Sequence, residues 1–209
     1  MRSGCGYEPP WQIGETRRMY GKVTLCERGY HSSPSWLGAL QYASGPIACV
    51  VDVSKPAAKD GDKQVSRRRT LLSAFNAATQ LHLFAADVAA RALGRERHQG
   101  REPDPRSWHA VKSAVRFALG LLQAGAEWEA ACEAACEAAC EGAWEAAQEV
   151  VGDAAEAAAR VAAFDAVCAA AWNAGYHAAQ GAASEGEREA EISWQRKRLE
   201  WRLARASGS

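Results

Sequence analysis

The stretch from Ala126 to Ala183 constrains this chain most, because 26 of its 58 residues are alanine. Alanine has the highest helix propensity and no side-chain entropy to lose, so helix is expected there. The unit Glu-Ala-Ala-Cys runs in succession at 129–132, 133–136 and 137–140. A four-residue period drifts about 40° per step on a helix that turns 100° per residue. The stripe from Trp128 through Trp144 to Gln148 therefore turns roughly halfway round, and one straight rod cannot hold it against one partner. Shorter helices broken at Gly142, Gly152, Gly175 and Gly181 are expected, with Trp128, Trp144, Phe164 and Trp172 as the large anchors. Ser184 and Glu187 form a capping box for a last helix through Arg205, with Ile192, Leu199 and Leu203 on one face. Residues 107–206 thus read as an Ala-rich, all-α helical hairpin stack.

The chain before it has a different texture. Val23–Cys26 is a short apolar, β-prone run, and Ile47–Val53 is the best strand, β-branched and bounded by Gly45-Pro46 and Ser54-Lys55-Pro56. Between them, Trp36, Leu40 and Ala43 sit at helical spacing, with Ser33 expected as the N-cap and Pro34 at the first helical position. Lys59–Lys63 reads as a turn, and Gln64–Leu72 as a returning strand. Asn76 is expected to cap a helix with Leu81, Phe84, Ala85, Val88 and Ala92 on its apolar face and Gly94 as its stop. Residues 94–106 read as a polar linker. Asp104-Pro105 then opens a helix carrying Trp108, Val111, Val115, Leu119 and Leu122. The expected fold is α+β: a small mixed strand/helix domain over 1–93, the linker, and the helical region.

A formal net charge of zero hides a segregation. Residues 1–126 carry 18 Lys/Arg against 10 Asp/Glu, whereas residues 127–209 carry 7 against 15. Charge split in this way reports on contacts between halves or with a partner, unless the acidic stripe is only a solvated face. The balance argues against a dedicated nucleic-acid binder, which would be clearly basic. Residues 1–14 lack the apolar run of a signal peptide. The charge-free stretch Ala166–Ser184 contains Asn173, Gly175, His177, Gln180 and Gly181 in place of large apolar residues, so a membrane span is not expected. Seven cysteines, an odd count, fit reduced thiols, and a cytoplasmic location is expected.

The candidate chemistries each meet a plainer reading. Cys132, Cys136 and Cys140 share a helix face only in part, since the third thiol is rotated about 80° from the first. No His lies nearby, so they read as small apolar residues and no metal site is expected. Glu129, Glu133, Glu137, Glu141, Glu145 and Glu149 form a like-charge ladder, each pair costing a few tenths of a kcal/mol. A partner or the basic half would offset that cost. A repeating ladder offers no pocket that would set two carboxylates apart for acid and base roles. Arg67–Arg69 with Arg91, Arg95, Arg97, Arg101 and Arg106 read as a solvated surface or a dock for the acidic helices, because stacking aromatics are not interleaved with them. His82, His98, His109 and His177 read as surface or packing residues.

One stretch is specific: Leu25-Cys26-Glu27-Arg28-Gly29-Tyr30-His31-Ser32-Ser33-Pro34, then Ala39-Leu40-Gln41-Tyr42-Ala43-Ser44-Gly45-Pro46, a strand, and Asp62-Lys63-Gln64-Val65 with Arg67-Arg68-Arg69. It resembles an uncharacterised domain family of tailed phages and prophages of actinobacteria, over about residues 14–93. Some members of that family carry an Ala/Trp-rich helical tail ending in a basic segment, as Trp194–Arg205 does here. The resemblance implies a phage origin and no assigned activity. A looser resemblance, to the ADP-ribosyltransferase fold, rests on Gly29-Tyr30-His31-Ser32-Ser33, Ala39-Leu40-Gln41-Tyr42 and the strand Ile47–Val53. It implies that Tyr30 or His31 stacks on nicotinamide and Ser32 holds the ribose of NAD. Ser66–Thr70 stands where that pattern carries its Glu, so the transferase implied is a catalytically degenerate one. His31 before Ser-Ser-Pro has an alternative role, capping local backbone.

The expectation is a phage- or prophage-encoded accessory protein that acts by protein binding or self-association rather than by catalysis, through its acidic Ala-rich region. Tyr30, His31, Ser32 and Tyr42 are the candidate binding residues of the N-terminal domain, and Glu129, Glu133, Glu137, Glu141, Glu145 and Glu149 are the candidate interaction surface. No cofactor is expected, NAD entering only with the degenerate-transferase alternative. A further alternative is an acidic DNA mimic that occupies a host protein.

Overall fold

The computed structural model describes residues 9–40, 42–43, 45–100, 102–122 and 185–206. Both strands and helices are present, and the chain divides into two compact units, Met1–Asn76 and Ala77–Ser209. The helix expected over the end of a 1–93 domain accordingly groups with the helices that follow it. The Ala-rich stretch, its glycine breaks and its cysteines lie outside the described residues.

The first unit holds two antiparallel three-stranded sheets. In one, β6 (Arg68–Asn76) lies between β1 (Thr16–Arg18) and β3 (Ile47–Val53). In the other, β5 (Lys63–Ser66) lies between β2 (Tyr30–Ser32) and β4 (Ala58–Asp60). The expected strand Ile47–Val53 forms as β3, since its β-branched residues suit a pleated surface. Val50 pairs with Ser73 and Val51 with Leu71, which leaves Leu72 as the extra residue of a bulge. Lys59–Lys63 turns as expected: Asp60 pairs with Lys63 across the loop Gly61-Asp62, and Gly61 takes φ +56°.

Three local expectations fail in this unit, each for an identifiable reason. Gln64–Leu72 is not one strand, because the chain leaves one sheet at Ser66 and enters the other at Arg68. Ser54 holds that corner: its carbonyl accepts from Ser66 Oγ at 3.0 Å and its hydroxyl from the Arg68 amide at 3.2 Å. Val23–Cys26 is not a strand either. Thr24 and Arg28 exchange backbone bonds of 2.8 and 2.9 Å across a tight turn in which Cys26 takes φ +66°. The short helix α1 (Trp36–Leu40) is capped by Ser35, whose Oγ accepts from the Gly38 amide at 3.1 Å. Ser33, expected in that role, reaches elsewhere. Trp11, Tyr30 and Leu71 form the core of this unit, with Met19, Cys49, Val51 and Ala74 against them.

In the second unit, α2 (Ala78–His98) packs with α3 (Pro105–Ala118) and with α4 (Glu185–Ala204). Leu81, Phe84, Ala85, Val88 and Ala92 of α2 are buried as the periodicity predicts. Asn76 is the last residue of β6, and the helix runs through Gly94, leaving a shorter linker than 94–106. Asp104 caps α3 by accepting from the Arg106 amide at 2.7 Å, with Pro105 in the first turn as expected. That helix stops at Ala118 and not at Leu122. Gly120, at φ +70°, lets its own amide reach the Phe117 carbonyl and that of Leu121 the Arg116 carbonyl. Leu119 is consequently exposed, and the buried face is the small one of Ser107, Ala110, Val111, Ala114 and Ala118. Leu199 and Leu203 of α4 are buried as expected, together with Glu191 and Gln195.

Candidate functional site

The residues of the specific motif meet where β2, β5 and the 24–28 turn adjoin. Gly29, at φ +139°, lets the strands close: a Cβ there would lie 2.3 Å from Val65 Cγ2 and 2.5 Å from Val23 Cγ1. His31 then turns to the backbone, its Nε2 accepting from the Cys26 amide at 2.8 Å. An Nε2 that accepts leaves the proton of the neutral ring on Nδ1. Ser32 Oγ accepts from Gln64 Nε2 at 3.1 Å, within the β2–β5 pairing.

Asp62 gathers the next group. Its carbonyl accepts from Ser33 Oγ at 2.6 Å and its carboxylate from the Tyr42 hydroxyl at 3.3 Å. Gly38 of α1 packs close to both, since a Cβ there would sit 2.6 Å from Ser33 Oγ and 2.8 Å from the Asp62 side chain. Lys63 lies over the Tyr42 ring at 5.4 Å. The Cys26 thiol beside Lys63, and after it the Tyr42 hydroxyl, favour the ammonium and push the Lys63 pKa up. Desolvation and the Asp62 carboxylate push that of Tyr42 up.

Tyr30 stands in other surroundings. It is 6% exposed, meets Trp11 edge-on at 5.6 Å, and carries the Arg69 guanidinium 4.9 Å from its ring centre. Arg69 also lies 4.7 Å from the Trp11 ring and donates to the His31 carbonyl at 3.3 Å, while Arg17 lies 4.2 Å from the same indole. Tyr30 is thus engaged in the core, His31 by the turn, Ser32 by β5 and Tyr42 by the hairpin loop. The four candidate binding residues each have a protein partner. The arginine run divides residue by residue: Arg67 is exposed, and Arg68 and Arg69 are partly buried. Arg67 donates to the Gly21 carbonyl, Arg68 pairs with Asp52 at 2.9 Å, and Arg69 lies against the Trp11 and Tyr30 rings.

The helical unit has a second constellation, built from α2 and α4. Asp87 accepts both Nε and Nη2 of Arg198, at 2.7 and 2.9 Å, and both of Arg202, at 2.8 Å each. Two turns along, the fully buried Glu191 carboxylate accepts Arg91 Nε at 2.8 Å, Arg95 Nη1 at 2.9 Å and Gln195 Nε2 at 3.1 Å. The pairs cross: an acid of α2 holds bases of α4, and an acid of α4 holds bases of α2. Such a pattern accepts one register, because a slip would strand a buried carboxylate. Arg97 and Arg106 are held by Glu102 and Asp104, and Arg101 lies outside the described residues.

Beside this clamp, Trp201 of α4 is 41% exposed, with guanidinium groups of Arg205, Arg198 and Arg202 at 3.8, 4.6 and 5.1 Å from its ring centre. The ladder from Glu129 to Glu149 lies outside the described residues. Among the described residues there is no group of three or more potential metal ligands, and no helix is long and apolar enough to cross a membrane. Comparison with protein-family models, curated proteins and solved structures finds no match to this chain.

Proposed function

We propose that the chain is a phage- or prophage-encoded accessory protein that works in the host cytoplasm by binding protein through its acidic, Ala-rich region. The observation that carries this reading is the attachment of that region at both ends. Along the chain it follows α3 and precedes α4, and both helices pack on α2. The crossed ion pairs of Asp87 and Glu191 fix the second attachment. A segment anchored twice on a rigid base pays less ordering entropy on binding than a free tail would. The internal engagement of Tyr30, His31, Ser32 and Tyr42 supports a scaffold role for the N-terminal motif. The phage assignment rests on that motif's resemblance.

The test changes Glu133, Glu137 and Glu141 together to Gln in the full chain. Retention of proteins from an actinobacterial lysate, and the salt sensitivity of that retention, are compared with the parent chain. Weaker and less salt-sensitive retention is expected; equal retention at every salt concentration contradicts the reading.

A further inference from the structure

The corner where the two sheets of the N-terminal unit meet also builds a tip of exposed cations around one exposed ring. β1 ends at Arg18, and the Met19 amide donates to the Arg67 carbonyl at 2.8 Å, which sets Tyr20, Gly21 and Lys22 beside the corner residue Arg67. The 24–28 turn folds the chain back, so that Arg28 Nη2 donates to the Tyr20 carbonyl at 3.1 Å. Arg67 donates to the carbonyl of the next residue, Gly21. Gly21 takes φ +87°, and a Cβ there would lie 3.5 Å from the Arg28 guanidinium. Two guanidinium groups thus hold successive carbonyls of one tip. Arg18 and Lys22 stand two residues to either side of Tyr20, their Cα atoms within about 7 Å of its own.

Arg18, Tyr20, Lys22, Arg28 and Arg67 are all exposed, and Tyr20, at 81%, is the most exposed aromatic ring among the described residues. A carbonyl orients a guanidinium without cancelling its charge. Most acids of this unit are engaged with other groups: Glu15 with Arg17, Asp52 with Arg68, Asp60 with Lys63 and Asp62 with Tyr42. Glu27 is the one acid between Arg18 and Arg28 in the sequence. Residues 1–76 carry 11 Lys/Arg against 6 Asp/Glu, a basic excess that the neutral total of the chain conceals.

An exposed ring among fixed cations suits a single-stranded nucleic acid, whose phosphates meet the cations while an unstacked base lies on the ring. A duplex keeps its bases stacked and offers Tyr20 no such face. A lipid surface is held by buried apolar area as well as by charge, and Tyr20 is the one large apolar side chain exposed between Arg18 and Arg28. We propose that the surface of Arg18, Tyr20, Lys22, Arg28 and Arg67 binds single-stranded nucleic acid, with Tyr20 stacking on a base and the four cations contacting phosphates. This goes beyond the protein-binding reading and does not depend on it, since every residue involved belongs to the N-terminal unit.

Fluorescence anisotropy of labelled oligothymidylate and oligouridylate, each of about 20 nucleotides, with the full chain tests the proposal. A DNA duplex of the same length and phosphatidylserine-containing vesicles serve as rival probes. A single strand is expected to bind at least about fivefold more tightly than the duplex, and the two oligonucleotides show whether DNA or RNA is preferred. Four phosphate contacts should weaken binding about fiftyfold between about 0.05 M and about 0.2 M salt. Tyr20→Ala should weaken it at least about fivefold with little change in salt dependence. Arg18→Gln with Lys22→Gln should halve the slope of log affinity against log salt. Neither of these two side chains bonds a carbonyl of the tip among the described residues, so this pair keeps the test valid should Arg28→Gln with Arg67→Gln perturb folding. No oligonucleotide binding at the lower salt overturns the proposal. Duplex binding as tight as that of the single strand overturns it too, as does affinity that Tyr20→Ala and the Arg18, Lys22 pair leave unchanged. Vesicle binding without oligonucleotide binding assigns the surface to a membrane and equally overturns it.

Discussion

His31 Nε2 accepts a hydrogen bond from the backbone amide of Cys26, 2.8 Å away, and Cys26 has φ +66°. A left-handed residue without glycine's freedom costs roughly 1–2 kcal/mol, and the imidazole helps to hold it there. His31→Ala should therefore lower the unfolding free energy by about 1–2 kcal/mol. Cys26→Gly should leave stability unchanged or raise it by about 1 kcal/mol. Urea unfolding of the two variants checks the pair, and an unaffected His31→Ala chain would remove the structural role.

The glycines of the motif separate by what surrounds them. At Gly29 a methyl group would collide with Val65 and Val23, and at Gly38 with Ser33 and Asp62. Alanine at either position should cost about 2–4 kcal/mol. Gly61 has open space but φ +56°, so alanine there should cost only about 1 kcal/mol. Thermal melts of the three substitutions should fall in that order.

His82 is 3% exposed, meets Phe117 edge-on at 5.3 Å, and neither ring nitrogen has a hydrogen-bond partner among the described residues. Burial holds its pKa below the ordinary 6.5. The unfolded chain thus takes up this proton first, and stability conferred by the neutral ring is complete above pH 6.5 and declines below it. Melting temperatures at descending pH should show the decline, and His82→Phe should abolish it. A parent chain insensitive to pH between 7.5 and 5.5 would contradict this prediction.

Asp87 titrates the other way. Burial acts to raise its pKa, but the bonds from Arg198 and Arg202 outweigh it and hold the carboxyl below 3.8. Its contribution is therefore present above pH 3.8 and is lost as pH falls through the depressed value. Asp87→Ala should destabilise the helical unit by about 3 kcal/mol at neutral pH, because it leaves two guanidinium groups without their acid. Hydrogen exchange along α4 reads the effect locally, and unchanged protection there would deny the clamp its role.

The parts legible in sequence were those decided by neighbours along the chain. The strand Ile47–Val53, the turn at Gly61, the Asp104-Pro105 start and the apolar stripe of α2 each follow from short-range spacing. Gly94, expected as a stop, lies inside α2, which packs on α3 and α4, whereas Gly120, which the expected helix ran past, takes φ +70° just beyond the end of α3. Arg67–Arg69 read as one charged patch, whereas strand alternation sends Arg68 to Asp52 and Arg69 against Trp11 and Tyr30. That alternation was available in the sequence once a strand was assigned. The Arg91–Glu191 pair was not, since its partners lie 100 residues apart and only tertiary packing joins them.

Calorimetric titration of the full chain with NAD tests most directly whether the motif is a scaffold or a ligand site. No heat of binding is predicted, because Tyr30 and His31 are engaged by Trp11, Arg69 and the Cys26 amide. Saturable heat that disappears in both Tyr30→Ala and His31→Ala chains, with folding intact, would contradict it.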